Sequence, residues 1–254
     1  MHLICTDFDG TIHDGNSIPP IAPELLDRLH HVQKGGVKWV INTGRELGDL
    51  VDHLRLHSID VLPNFIVAVE REIHEFSCGE YRSDQSWNSK CQEDHTELFS
   101  QAMDCIGKIR QWIESQFDAH LYSDRWSPLC IIANHRHHAD KIHRHAEAEI
   151  RSIPSMALIR NGEYFRFGHT HYNKGTTLAE IGRRLGLQKE SIFAAGDHFN
   201  DLTMLDGTYA GKVAAPANAI PEVQSVVKNA GGYVASQRCS LGTLEALNYF
   251  QSNA

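Results

Sequence analysis

Strand-like runs and amphipathic helices alternate along the first seventy residues, and this alternation limits the fold of the 254-residue chain more than any other feature. Leu3-Ile4-Cys5-Thr6 reads as a short strand. Leu25, Leu26, Leu29 and Val32 share one helical face over 23–34, and Gly35-Gly36 ends that helix. Val37 to Ile41 reads as a second strand, halting at Asn42-Thr43-Gly44. Residues 46–57 form another amphipathic helix through Leu47, Leu50, Val51 and Leu54, and Phe65 to Val69 follows Pro63 as a third strand. The order β-α-β-α-β predicts a parallel sheet covered by helices.

The pattern then changes. Residues 74–93 are polar and turn-rich. Leu98, Ala102, Cys105, Ile106, Ile109, Ile113 and Phe117 fall at helical spacing within 94–117. His120 to Tyr122 and Leu129 to Ala133 read as strands, 138–151 as a helix, and Met156–Arg160 with Glu163–Phe167 as a hairpin around Asn161-Gly162. From Asn173 the first pattern returns, with helices over 174–186, 201–205 and 219–229 and strands over 192–195, 210–214 and 233–235. The expected organisation is therefore α/β: a core in two parts, 1–81 and 169–254, with an α+β unit inserted at 82–168.

Composition narrows the class of partner. The net charge of −8, with histidine counted neutral, makes a nucleic acid or an anionic membrane a poor default partner. No apolar run approaches the roughly 18 residues of a membrane span, and the N-terminus carries no secretory pattern. The six cysteines form no Cys-x-x-Cys pair, so they are expected to be reduced thiols in a cytoplasmic protein, with Cys5 a small core residue.

Three strands of the expected parallel sheet end in polar clusters: Asp7-Phe8-Asp9-Gly10-Thr11, Thr43-Gly44-Arg45 and Gly196-Asp197-His198-Phe199-Asn200-Asp201. Ligands of open α/β sheets bind outside the carboxyl ends of the strands, so these clusters are expected to share a crevice with Lys174 at a helix start. Four carboxylates together raise one another's pKa unless a cation holds them, and a hard divalent ion such as Mg²⁺ meets that need. Lys174 and the Thr43 hydroxyl add anion donors. Carboxylates, a cation and anion donors are the equipment of phosphoryl transfer, with an aspartate available as nucleophile. Singly, each residue has a plainer reading: a solvated turn for Asp7-x-Asp9, a helix cap for Thr43 or Asp201, a solvated lysine for Lys174. Their positions at strand ends and helix starts, in one chain order, favour the site.

In that order the four clusters resemble the four motifs of the haloacid dehalogenase superfamily, and the insertion resembles the α/β cap of its Cof-type sugar phosphatases. Asn173-Lys174-Gly175 and Ala217-Asn218-Ala219 are similar to that branch; Pro63-Asn64-Phe65-Ile66-Val67 with Glu72-Ile73 resembles its sucrose-phosphatase-like members more loosely. The resemblance covers essentially the whole chain and implies a Rossmann-like core with an inserted cap. It implies Asp7 as nucleophile and Asp9 as general acid and base, and Gly10, Thr43, Gly44, Lys174 and Asn200 around the phosphoryl group. Asp7, the Asp9 carbonyl, Asp197 and Asp201 would hold Mg²⁺. An aspartate two residues after the nucleophile marks the phosphatases and phosphomutases of the superfamily.

The function expected is a Mg²⁺-dependent phosphatase acting on a small phosphorylated metabolite, with sugar phosphates the leading class, through an aspartyl-phosphate. The chain would be a monomer or homodimer without nucleic-acid or membrane partners. The alternatives are a phosphomutase of the phosphomannomutase type and a non-catalytic sugar-phosphate sensor. Two departures from the family pattern stand out: His198 where a small residue is usual, and Glu70-Arg71 where Asn-Gly is common. His171, His198, Arg125 and Arg160 are the candidates for contact with the rest of the substrate. His135, His137, His138, His143 and His145 cluster in the insertion, where a solvated polar helix is the simpler reading than a metal site.

Overall fold

The computed structural model describes residues 1–252. The chain divides into two compact units, Met1–Asn88 together with the chain from Asn173 onward, and Ser89–Tyr172. The first unit opens with β1 (Leu3–Thr6), α1 (Pro23–Lys34), β2 (Lys38–Asn42), α2 (Leu47–Leu56), β3 (Phe65–Ala68), β4 (Glu72–Ser77) and β5 (Glu80–Ser83). Helix α3 (Gln85–Gln116) follows, then β6 (Ala119–Tyr122), β7 (Cys130–Ala133), α4 (Arg136–Ile150), β8 (Met156–Asn161) and β9 (Tyr164–His169). The first unit resumes with α5 (Lys174–Arg184), β10 (Ile192–Ala195), α6 (Leu202–Leu205), β11 (Lys212–Ala215), α7 (Pro221–Asn229), β12 (Tyr233–Val234) and α8 (Cys239–Ser252).

The large sheet has the order β12-β11-β10-β1-β2-β3-β4-β5. It is parallel from β12 to β3, with β1 at its centre between β10 and β2. Both faces are covered, so the strands are apolar on both sides. Leu3 and Cys5 pack with Val40, Val67, Leu178, Ile181, Met204, Val223 and Val227 on one face. Ile4 packs with Trp39, Ile41, Ile66, Leu25, Leu29, Leu50, Leu54 and Leu247 on the other, as the two-residue period of a strand requires. Trp39 is fully buried, and its indole N–H donates to Thr6 Oγ1 at 3.2 Å, which satisfies the one polar atom it takes inside. Burial pushes the Cys5 thiol up to about 12, in keeping with a core cysteine, and none of the six cysteines forms a disulfide.

The second unit has an antiparallel sheet in the order β6-β7-β9-β8. Ile106, Ile109 and Ile113 of α3 and Ile142 and Ala146 of α4 pack with Ile131, Phe165 and Phe167. No described helix is long and apolar enough to cross a membrane.

The unit boundaries fall a few residues from the expected 81/82 and 168/169. The stretch from 74, expected to be turn-rich, holds a hairpin: β4 pairs antiparallel with β3 and with β5, so residues to Ser83 belong to the large sheet. The start of α3 is tied to it as well, because Asn88 accepts from the Ile73 amide at 2.8 Å and donates to the Ile73 carbonyl at 2.9 Å. At the other boundary the Tyr172 hydroxyl donates to Asp94 Oδ2 at 2.6 Å, which keeps the chain through Tyr172 with the second unit.

The start of α5 is fixed to the residue. The Asn173 side chain accepts from the Gly175 and Thr176 amides, and Thr176 Oγ1 accepts from the Asn173 amide, a reciprocal cap. Gly175 faces the Thr203 carbonyl so closely that a Cβ has no room. Gly175→Ala is therefore expected to push α5 from α6 and lower stability by about 1–3 kcal/mol, read as a lower urea midpoint with an unchanged m-value.

Candidate active site

The carboxyl ends of β1 and β10 lie side by side, since Thr6 pairs with Ala195. The next turns bring Asp7 and Asp197 together, and Thr11 Oγ1 bridges them, at 3.4 Å from Asp7 Oδ2 and 3.1 Å from Asp197 Oδ1. Asp201 enters from the short 3₁₀ turn Phe199–Asp201. Its Oδ2 accepts from the Asp197 and His198 amides at 2.8 and 2.9 Å, so its other oxygen is free to face inward. Lys174, fully buried at the first turn of α5, reaches Asp7 Oδ1 at 2.6 Å and Asp201 Oδ1 at 2.7 Å. Asn42 on β2 holds the backbone there by donating to the Lys174 carbonyl at 3.0 Å.

Three carboxylates thus face one ammonium. Burial raises the Asp7 carboxyl well above its ordinary value; Lys174 opposes the rise, while Asp201 and Asp197 add to it. Asp197 is pushed up to about 7, by burial and then by the Asp201 charge. Burial alone would lower Lys174, but Asp201 and Asp7 outweigh it and hold the ammonium above the usual lysine value. Oxygens of Asp7, Asp197 and Asp201 lie within 4.8 Å of one another, the one such group among the described residues. This unbalanced, hard-oxygen donor set fits a divalent cation. Gly10, with φ of 79°, lies so close to the Asp197 carboxylate that no side chain fits between them.

A family model, that of sucrose-6F-phosphate phosphohydrolase, matches residues 1–251. The chain belongs to that family. It is a haloacid dehalogenase superfamily phosphatase, a phosphoric monoester hydrolase. The 5-amino-6-(5-phospho-D-ribitylamino)uracil phosphatase YcsE of Bacillus subtilis (strain 168) is 23% identical over 257 residues, spanning 98% of this chain and 96% of its own. The fold is shared with the sucrose-phosphatase of Synechocystis sp. PCC6803, solved with sucrose and phosphate. That structure has a TM-score of 0.72 at 18% identity and covers 98% of this chain and 97% of its own. BT1666 from Bacteroides thetaiotaomicron, described as a phosphatase of the same superfamily, has a TM-score of 0.66 at 19% identity over 99% and 95%.

The remaining motif residues divide into groups. Asp9 is not part of the close carboxylate cluster. Its oxygens accept from Arg45 Nε and Nη2, both at 2.7 Å, and its Oδ1 lies 3.0 Å from His13 Nδ1. Burial alone would raise the Asp9 carboxyl, but the His13 and Arg45 contacts outweigh it and hold it well below the usual carboxylate range. Thr43 is buried and its hydroxyl accepts from the Arg45 amide at 3.1 Å. The Glu70 amide donates to the Thr43 carbonyl at 2.9 Å, and Asn200 Nδ2 donates to Glu70 Oε1 at 2.7 Å. His198 Nδ1 accepts from the Phe199 amide, which ties its ring to the motif loop.

The candidates for substrate contact in the second unit are placed differently from one another. Arg160 is buried, held by Asp140 at 2.7 Å and the Gly162 carbonyl at 2.9 Å, and its guanidinium lies over Phe165. An arginine so engaged braces α4 against β8. Arg125 is exposed, its guanidinium over the Trp126 ring at 4.1 Å. His171 is exposed, its amide donating to His169 Nδ1. Among the described residues the insertion's histidines bring no three ligand atoms together; His135, His137 and His138 meet as rings, with centroids 4.1–5.5 Å apart.

His13 is the participant that the sequence reading passed over. Its ring stacks on Phe8 at 4.9 Å and meets His53 edge-on at 4.5 Å. A histidine four residues after an aspartate on an unformed turn gives no periodic signal, so only the bend at Gly10 reveals the pair. Burial pushes His53 down to about 4, with the His13 and Arg45 charges adding to the drop. A histidine lowered from near 6.5 in the folded state contributes stability that is fully present above pH ~6.5 and lost as pH falls toward 4. His53→Leu is expected to flatten that part of the stability profile, read from urea midpoints at pH 7.5, 5.5 and 4.5.

Proposed function

We propose that the chain hydrolyses a small phosphorylated metabolite, of the sugar-phosphate class, through an aspartyl-phosphate on Asp7. The observation that carries this reading is the Asp7–Lys174–Asp201–Asp197 constellation at the carboxyl ends of β1 and β10. Attack by an Asp7 oxygen forms a bond to phosphorus as the ester P–O bond breaks, and the departing alkoxide takes a proton from Asp9. Water then attacks the phosphorus, gives its proton to Asp9, and releases phosphate with the Asp7 carboxylate restored. Lys174 offsets the negative charge that gathers beside Asp7. Thr43, the Gly44 amide and Asn200 hold phosphoryl oxygens, with Gly10 leaving room.

Asp7, Asp197 and Asp201, with the Asp9 carbonyl, would hold Mg²⁺. When bound, the ion neutralises charge on the transferring phosphoryl group. Asp9 rests ionised on Arg45 and His13, so its service as an acid requires that grip to loosen. An arriving phosphomonoester, itself anionic, competes with Asp9 for the Arg45 guanidinium. The sugar class is supported by the family that the chain belongs to and by the relative solved with sucrose and phosphate.

Phosphate release from a panel of phosphorylated metabolites tests the reading; conversion to an isomeric phosphate without release would point to a mutase. Asp7→Asn is expected to lower kcat by at least about 10³-fold while circular dichroism stays unchanged. Excess chelator is expected to abolish turnover, and added Mg²⁺ to restore it. Asp9→Asn is expected to depress sugar-phosphate cleavage more than the first release of nitrophenolate from nitrophenyl phosphate, because nitrophenolate leaves without a proton.

A further inference from the structure

Past the end of β3 the chain turns through two consecutive residues in the left-handed region, Val69 at φ 46° and Glu70 at 67°. A β-branched residue is an outlier there, and such strain persists chiefly at functional sites. The turn carries the Glu70 side chain to the wall of the phosphate cradle. Its Oε1 accepts from Asn200 Nδ2 at 2.7 Å and lies 3.3 Å from where a methyl group on Gly44 would stand. Its amide is held by the Thr43 carbonyl, and the residue is 6% exposed. Its charge helps to keep Lys174 protonated.

A carboxylate therefore stands among the three groups assigned to phosphoryl oxygens. It weakens their hold on an anion, and a glutamine would position Asn200 equally well, so the charge itself needs a use. Among the described residues Glu70 Oε2 has no hydrogen-bond partner, which leaves an acceptor open at the cradle wall.

We propose that Glu70 sets the class of leaving group: its free oxygen accepts from a hydroxyl adjoining the phosphoester, and its carboxylate turns away esters that bear a second anionic group beside the phosphorus. This rests on the preceding reading of Thr43, Gly44 and Asn200 as the phosphate cradle.

The test is competition against nitrophenyl phosphate hydrolysis, with Mg²⁺, by glycerol 3-phosphate and by 3-phosphoglycerate. The two share a three-carbon skeleton, and the second replaces a hydroxymethyl by a carboxylate. Each ratio of inhibition constants is internal to one protein, so a general change in activity cancels. The wild type is expected to bind glycerol 3-phosphate, which lacks the second anionic group, more tightly. Glu70→Gln is expected to shrink that preference by at least about five-fold, and Glu70→Asp, which keeps the charge, to retain most of it. Equal inhibition constants in the wild type, or the same ratio in wild type and Glu70→Gln, would overturn the role of Glu70 and leave the phosphatase reading standing. No nitrophenolate release by the wild type would overturn the cradle reading and the proposal with it.

Discussion

The Lys174 ammonium, buried between Asp7 and Asp201, is the interaction on which the site depends. A lysine without solvent is tolerated only when paired, and removing one partner of such a pair costs about 3–5 kcal/mol. The surrounding structure is arranged to keep the pairing. Asn173 caps α5 at the residue before it, Asn42 holds the Lys174 carbonyl, and Gly175 lets α5 close on the Thr203 backbone. Without that ammonium, Asp7 and Asp201 would face each other as repelling like charges. The same ammonium that burdens the fold therefore opposes the rise that burial imposes on the Asp7 carboxyl.

Asp9 is held in the opposite way. Half-exposed and gripped by a guanidinium at both oxygens, it is fully ionised at rest, while Asp7 and Asp197 are pushed toward protonation by burial. Two carboxylates separated by one residue thus sit in environments that drive their pKa values apart. The Gly10 turn makes the division possible, because it lets His13 fold back on Asp9 while leaving the Asp197 side open.

Much of this was legible in the sequence, for definite reasons. Apolar runs such as Leu3–Thr6 and Phe65–Ala68 are buried on both faces and leave a continuous signal, and a parallel sheet brings their carboxyl ends to one edge. That alone gathers Asp7, Thr43 and Asp197. The β4–β5 hairpin lies at the sheet edge with half its residues exposed, so no alternation announces it. Helix α8 buries Ser240, Gly242, Thr243 and Ala246, small residues that pack closely but make no apolar stripe. The partners of the motif residues were the least legible. Glu70 and Asn200 are 130 positions apart, and the link from Arg45 to Asp9 spans 36; neither follows from spacing.

The central position of β1 has a consequence for how the chain is made. Leu3 to Thr6 pair on one side with β2, close in sequence, but on the other with Ile192 to Ala195, which emerge after the whole inserted unit. Asp7 and Lys174 are likewise 167 positions apart. Contacts of such separation form late, since the chain entropy of closing the loop must be overcome first. A ribosome-bound chain that stops short of β10 would carry one open edge of β1, with Asp7 lacking its Asp197 and Asp201 neighbours, while Ser89–Tyr172 already holds all the strands of its own sheet. Synthesis thus completes the inserted unit before the Asp7 and Asp197 carboxylates can meet, and a truncated product would display an aggregation-prone strand edge.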